Sequence, residues 1–534
     1  MNHLEETILD VIRRRAFETP DSVALIFEGG ETCADVEVTY AALWDRIQAV
    51  GRGLKHSGLT SGDRCATLMA NHLEFIELLF ACSLIGVTLV PIDPRTRGEK
   101  LAFMLAQVNA TALVSADYSL PHFLEVLDES PALTYIAVLA TGEKAAARPC
   151  NDSLRDFTDF YRDGDEIGYR IDPDAPMEIL FTSGTTGDPK GIVMTHKRYF
   201  STSRAAFNQF GYVASDRLYT GLSLTHANAQ IATLGAGIVG GLSIVISRRF
   251  TKTRLWDITR RFACTSFTLL GGMTTAVYAE PPRDDDAMNP VRLVVSAGMP
   301  ESIWRRFESR FGVQVLEFYG AAEGGLAVNP PGVGPVGSCG RLGNDFIARI
   351  VDETGEPVMP GALGELLIGR ADGSPVTVEY VGAPEASKLK CAGGWLHMGD
   401  IVRTDADGWI FFSHRKGGGI RRNGDFVNTA FIERVIADSG LVDDVYVYGI
   451  DAASKAPGEK DIVAAVVPSR IIRFDLQKLI NICRDTLEAN FVPVYIHVME
   501  NIPKTASEKP QDRLLIADFE KQPRNVFPTE KYGR

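Results

Sequence analysis

Leu180-Phe-Thr-Ser-Gly-Thr-Thr-Gly-Asp-Pro-Lys-Gly-Ile-Val-Met-Thr-His196 is the stretch on which the reading of this chain turns. Between Thr182 and Lys190 it gathers the hydroxyls of Thr182, Ser183, Thr185 and Thr186, the glycines Gly184 and Gly187, and the ammonium of Lys190. Hydroxyls and free backbone N–H groups suit phosphate oxygens, and glycine lets the backbone come close to them. The apolar run before the loop and the β-branched run after it predict strand, loop, strand. A P-loop needs Gly, four residues, then Gly-Lys-Ser/Thr opening a helix. Here Pro189 directly precedes Lys190 and a β-branched run follows, so the expected context is strand, loop, strand with no helix dipole aimed at the ligand. A short piece of this composition is also compatible with a plain surface hairpin. The length of the segment and the position of Lys190 after Pro189 favour phosphate.

The rest of the chain is ordinary globular material. Its 534 residues exceed what one hydrophobic core usually covers, so at least two domains are expected. Hydrophobic residues make up 45% and charged residues 23%, which excludes a disordered or fibrous chain. A net charge of −13 argues against non-specific nucleic-acid binding, although Arg415, Lys416, Arg421 and Arg422 form a local basic cluster able to meet an anionic cofactor. The 8 cysteines include no Cys-x-x-Cys pair and no nearby histidine cluster, which points away from zinc and disulfides and toward a reducing cytoplasm. Met1-Asn-His-Leu-Glu-Glu lacks the apolar core of a signal peptide. Leu78 to Ile92 is too short to span a membrane and is interrupted by Gly86 and Pro91, so it reads as a buried helix followed by a strand.

Apolar β-branched runs alternate with helix-like segments. Leu293-Val-Val-Ser-Ala-Gly298 followed by Pro300-Glu-Ser-Ile-Trp-Arg-Arg-Phe307 predicts a strand running into a Pro-started helix. This alternation predicts α/β layers with buried sheets. From Gly361 to Gly369 and from Gly408 to Phe412 the pattern changes to short strands and turns. At Lys416 to Gly419 the composition shifts abruptly, and three consecutive glycines suggest a linker. The expected domains are therefore 1–416 and 417–534.

The loop around Lys190 resembles the phosphate-binding signature of the adenylate-forming superfamily of acyl-CoA synthetases, peptide-synthetase adenylation domains and luciferases, closest in type to the acyl-CoA ligases. Val38-Thr-Tyr-Ala-Ala-Leu43, Gly62-Asp63, Asn71 and Gly86-Val-Thr-Leu-Val-Pro91 resemble the family's N-terminal landmarks. The resemblance implies a large, multi-subdomain α/β N-terminal domain of layered sheets and helices, and a small, mobile α+β C-terminal domain. It also implies that Thr182, Ser183, Gly184, Thr185, Thr186 and Lys190 hold the phosphates of ATP.

Glu317-Phe-Tyr-Gly-Ala-Ala-Glu-Gly-Gly325 resembles the family's Tyr-Gly-x-Thr-Glu motif. There the aromatic ring packs on adenine, the threonine hydroxyl contacts the α-phosphate, and the glutamate helps hold Mg²⁺. Tyr319, Gly320 and Glu323 match, and one carboxylate with phosphate oxygens is reasonable Mg²⁺ chemistry. Ala322 supplies no hydroxyl. Losing one hydrogen bond to a charged group costs roughly 1.5 to 3 kcal/mol, or about ten- to hundred-fold in rate if it is made only in the transition state. A water or loop residue is the alternative donor.

Gly394-Trp-Leu-His-Met-Gly-Asp-Ile401 and His414-Arg415 resemble the segment in which an Asp accepts the ribose hydroxyls and an Arg follows, which implies nucleotide-binding roles for Asp400 and Arg415. A carboxylate is the natural acceptor for a vicinal diol. Where the family usually carries Asp or Lys at the pivot of its C-terminal domain, this chain has Gly417. Ile420-Arg-Arg-Asn-Gly-Asp-Phe-Val427 and Phe431-Ile-Glu433 resemble the wall of the pantetheine tunnel of CoA ligases, where Gly424 permits close approach. Ile502-Pro-Lys-Thr-Ala-Ser-Glu-Lys-Pro510 matches the loop of the adenylation lysine, implying that Lys509 is that residue and that Lys504, its nearest competitor, is solvated. His226, in Leu222-Ser-Leu-Thr-His226, aligns near the substrate carboxylate. Ala297, Gly298, Gly324 and Gly325 stand where the family places pocket walls, and their small size suggests a bulky hydrophobic acid.

The function implied is ligation of a carboxylic acid to CoA through acyl-AMP, with ATP, CoA and Mg²⁺ as cofactors and no nucleic-acid partner or membrane span. Three alternatives stay open. Ala322 and Gly417 are compatible with an enzyme that only transfers CoA onto an adenylate made by a separate enzyme. The acyl group is otherwise delivered to a carrier protein in trans, or the chain is a non-catalytic nucleotide-binding scaffold.

Overall fold

A computed structural model of the protein describes residues 6–30, 34–142, 154–182, 189–416, 420–422, 425–427, 429–452, 460–487, 491–505, 508–521 and 524–532. The chain divides into two compact units. One comprises residues 1–251, 257–268 and 377–391, and the other residues 252–256, 269–376 and 392–534. The architecture is mixed α/β, with layered sheets and helices and a smaller α+β portion at the C-terminal end.

The first unit is organised by a seven-stranded sheet. Its order is Leu154–Asp156, Tyr135–Leu139, Ala112–Ala116, Arg64–Leu68, Thr88–Ile92, Pro176–Thr182 and Lys190–Thr195. All neighbours run parallel except the last pair. Thr88–Ile92 and Ala112–Ala116 are buried at every position, as strands of a parallel sheet covered on both faces must be. The preceding helix Leu73–Ile85 is buried nearly all round, so the stretch from Leu78 to Ile92 is the buried helix and strand its composition predicts. In the same unit Arg217–Thr220, Ser243–Ser247 and Val23–Glu28 pair in parallel, and Val36–Thr39 adds an antiparallel strand.

In the second unit the strand Leu293–Ala297 runs through the helix Glu301–Phe311, whose N-cap is Pro300, into the parallel strand Gln314–Ala321. Trp304, Phe307 and Phe311, spaced at helical periodicity, form the buried face of that helix. Gly324–Asn329 returns antiparallel. A four-stranded antiparallel sheet follows, ordered Phe346–Val351, Gly364–Arg370, Leu396–Thr404 and Ile410–Arg415.

Beyond residue 419, Val442–Asp451, Lys460–Pro468, Tyr495–Val498 and Val526–Pro528 form a sheet flanked by the helices Thr429–Asp438, Leu476–Thr486 and Asp512–Glu520. Ile432, Ile436, Ile462, Ala464, Leu479 and Ile480 anchor a hydrophobic cluster that, among the described residues, is drawn from this stretch. The glycines at the expected domain boundary, residues 417–419, lie outside the described residues.

Candidate active site

The hairpin expected around the phosphate loop is present. Pro176–Thr182 pairs antiparallel with Lys190–Thr195, and Thr182 faces Lys190 across the ladder. The Thr182 hydroxyl donates to the Lys190 carbonyl at 3.4 Å. Ser183, Gly184, Thr185 and Thr186 lie outside the described residues, as does Gly424. The Lys190 ammonium sits 5.4 Å from the centroid of the Tyr380 ring, a cation–π arrangement. Residues 379–381 run beside the outer edge of the hairpin, where Val193 N–H donates to the Glu379 carbonyl and Val381 N–H to the Gly191 carbonyl.

His226 belongs to the same unit, in the segment between Leu222 and the π-helix Asn228–Gly235. Buried amides hold that segment. Asn71 donates to the carbonyls of Leu222 and Ser247 at 2.8 and 2.9 Å, and its own oxygen accepts from Leu224 N–H at 2.8 Å. Gln230 Nε2 donates to the Leu224 carbonyl at 2.8 Å and to Glu178 Oε2 at 2.9 Å. Glu178 is fully buried on the strand that leads into the phosphate loop. Burial pushes its carboxyl up to about 8, and the Gln230 hydrogen bond opposes that rise.

In the second unit, Tyr319, Asp400, Arg415, Glu323 and Lys509 converge. Tyr319 lies near the end of Gln314–Ala321, and its hydroxyl donates to Asp400 Oδ2. Asp400 and Arg415 are direct antiparallel partners, with Arg415 Nε 3.0 Å from Asp400 Oδ1. The aspartate is buried, while the Arg415 side chain is about half exposed at 54%. Burial, and then the Asp400 carboxylate, holds the Tyr319 phenol far above its usual range, so it remains a donor. Gly320 follows within the same strand.

Surrounding protein lowers the pKa of Lys509. The Arg415 guanidinium lowers it further, and the Glu323 and Asp400 carboxylates oppose both effects. The residue as a whole is exposed, so its desolvation is partial. These four groups thus lie within mutual electrostatic reach, although Lys509 is far from the others in sequence. Lys504 departs from expectation. Only 16% of its side chain is exposed, and Nζ makes a 2.5 Å ion pair with Asp444 Oδ2.

Glu317 acquires a role its motif did not assign. It is buried, faces Ser296 across the parallel ladder, and accepts from Gly298 N–H at 2.5 Å and Met299 N–H at 3.0 Å. Burial pushes its carboxyl up to about 8 against the pull of these donors. Gly298, at φ +106, needs to be glycine, since a Cβ there would lie 3.1 Å from Gly271 Cα. Gly325 makes room for Ile368 Cδ1, which a Cβ would meet at 2.4 Å, so its small size is used in packing. Glu178 and Glu317 carry the same signal in the sequence, a carboxylate embedded in an apolar β-run, where an unpaired charge is expensive.

Among the described residues no group of three or more His, Cys, Asp or Glu is arranged to hold a metal. Among the described residues no helix is long and apolar enough to cross a membrane.

Residues 12–375 match the family model described as AMP-binding enzyme, and residues 432–509 match that of the AMP-binding enzyme C-terminal domain. The chain is 28% identical over 498 residues to a crotonobetaine/carnitine–CoA ligase of Salmonella typhimurium, covering 92% of this chain and 95% of that protein. In fold it is similar to an anthranilate CoA ligase solved with anthranoyl-AMP, with a TM-score of 0.84, 22% identity, and coverage of 97% of this chain and 98% of the other. A benzoate CoA ligase from Burkholderia xenovorans LB400 gives a TM-score of 0.81, 20% identity, and coverage of 95% and 99%.

Proposed function

Because the chain belongs to the AMP-binding enzyme family, we propose that it is an acid–thiol ligase that joins a carboxylic acid to CoA through an acyl-adenylate. The observation that carries this reading is the gathering of Tyr319, Asp400, Arg415, Glu323 and Lys509. In the first half-reaction a carboxylate oxygen attacks the α-phosphorus of ATP, the bond to the β-phosphate oxygen breaks, and pyrophosphate leaves. In the second the CoA thiolate attacks the acyl carbonyl and AMP leaves.

The roles follow from chemistry. Tyr319 and Gly320 offer a face for adenine, Asp400 accepts from the ribose hydroxyls, and Arg415 both orients Asp400 and meets phosphate. Thr182, Ser183, Gly184, Thr185, Thr186 and Lys190 hold the polyphosphate. Lys509 brings its ammonium between the two anions that must approach each other. Bound Mg²⁺ would neutralise phosphate charge, with Glu323 as the protein ligand. We assign His226 to the acid's carboxylate and Gly424 to the approach of pantetheine. We assign these tasks to domains 1–416 and 417–534, the latter supported by its separate hydrophobic cluster. The free thiols of Cys65, Cys82 and Cys264 fit a cytoplasmic location.

Acid-dependent exchange of pyrophosphate into ATP, without CoA, tests this reading. The panel should contain aromatic acids, quaternary-ammonium acids and bulky aliphatic acids, the first two being the kinds named in the similar ligases. Exchange with at least one acid, abolished by K509A, is expected. Ala322 favours the second reading, in which only CoA transfer survives. That reading predicts thioester formation from synthetic acyl-AMP with no exchange for any acid.

A further inference from the structure

We infer that Lys504 is a positioning residue for Lys509, fixing the base of the loop that presents the reactive ammonium. The inference rests on the adenylating role proposed for Lys509. Lys504 and Pro510 are partners in an isolated antiparallel bridge, which sets these two positions side by side. Thr505 N–H donates to the Lys509 carbonyl at 2.7 Å, and Lys509 N–H donates to Thr505 Oγ1 at 3.2 Å. Gln511 N–H closes the outer rung on the Pro503 carbonyl at 2.9 Å. Glu508 turns the chain with a φ of +59. Lys509 therefore sits at one end of a short stapled loop, and Lys504 sits at the other.

That base is held from two sides. The Lys504 ammonium pairs at 2.5 Å with Asp444, on the strand Val442–Asp451. It also lies 3.1 Å from where a Cβ would stand at Gly272, the first residue of the helix Gly272–Tyr278. A Cβ at position 272 would make the ammonium give way slightly. The absence of one leaves the ammonium its place beside Gly272 while the Asp444 carboxylate supplies its counter-charge. Arg434 and Glu301, 3.7 Å apart, form a second and looser tie between the C-terminal stretch and the helix Glu301–Phe311.

Catalysis by Lys509 depends on where its ammonium stops. A misplacement of about 1 Å by a change away from the chemistry can cost about a hundredfold in rate. The Lys504 ion pair restrains the loop at its root, while the charges that act on Lys509 are those of Arg415, Glu323 and Asp400. Its effect should therefore fall on the step that uses Lys509 and spare the step that does not.

The test compares both half-reactions in the full-length chain for K504M, K504R, D444N, G272A and K509A. Pyrophosphate exchange should drop about ten- to hundred-fold in K504M and D444N, and G272A should move in the same direction. Thioester formation from synthetic acyl-AMP and CoA should stay within about twofold of wild type in K504M, D444N and G272A, showing that these variants are folded. K504R should recover most of the exchange. Wild-type exchange in K504M, with exchange abolished in K509A, would overturn the inference and leave the proposed function standing. Equal losses in both half-reactions, uncorrected by K504R, would reduce Lys504 to general stability and also overturn it. Wild-type exchange in K509A would remove the adenylating role itself, and the inference with it.

Discussion

The phenol of Tyr319 donates to the carboxylate of Asp400, tying the end of one sheet's strand to the middle of another. With Arg415 on the opposite oxygen, the aspartate is fixed in orientation before any ribose arrives. D400N keeps the shape but removes the charge and presents an amide to Arg415 or Tyr319. It should weaken AMP binding by roughly 1.5 to 3 kcal/mol, about ten- to hundred-fold in Kd. Calorimetric titration with AMP checks this, and unchanged affinity would falsify the ribose role.

Ala322 supplies no hydroxyl where the family's Tyr-Gly-x-Thr-Glu motif carries a threonine. A322T should raise the pyrophosphate exchange rate by about ten- to hundred-fold if no water already fills that place. The thioester half-reaction from synthetic acyl-AMP should change far less. An exchange rate unmoved by the added hydroxyl would show that another donor already does the work.

Glu178 gives the protein a definite pH dependence. Its folded pKa is about 8 against an ordinary 4.5, so the folded state keeps a proton that the unfolded chain has released. This contribution to stability is whole below about pH 4.5 and is lost as pH rises through about 8. E178Q retains an amide oxygen for Gln230 and cannot ionise. Its stability relative to wild type should therefore grow between about pH 5 and about pH 8, by on the order of a few kcal/mol. Urea midpoints of both proteins at each pH decide the matter; Glu317 and Glu433 have shifts of the same direction and cancel in the comparison.

Glu317 accepts two backbone N–H groups at the turn after Leu293–Ala297. E317A leaves both donors without their acceptor and should cost roughly 2 to 5 kcal/mol of stability. It should also raise KM for the acid more than for ATP, because Gly298 stands at an expected wall of the acyl pocket. A KM for the acid equal to wild type in folded E317A would remove that wall from consideration.

The elements with strong local signals were legible in the sequence. The hairpin around Lys190, the buried helix and strand within 73–92, and the Pro-capped helix after Leu293–Ala297 all follow from apolar runs punctuated by Gly and Pro. Tyr319, Asp400 and Arg415 were named from motifs, and Tyr319 and Arg415 both bond to Asp400. What the sequence hid was long-range pairing. Nothing local says that Lys504 finds Asp444, that Lys190 lies over Tyr380, or that Glu178 meets Gln230, because each partner is supplied by a different element. Lys504 also shows why composition misleads for cations. A lysine in a polar loop reads as solvated until a carboxylate from another strand is brought beside it.

The outer edge of the hairpin beside the phosphate loop is covered by residues 379–381, which leave the ribosome long after Lys190–Thr195 has been made. Until they arrive, the nascent chain carries an uncapped edge strand, able to template pairing with a neighbouring chain. A fragment ending before Thr377 retains nearly all of the sheet yet keeps that edge open permanently. Dissecting this protein for expression should therefore carry the chain past Cys391, and slow synthesis between the two segments is the stage at which a holdase would matter most.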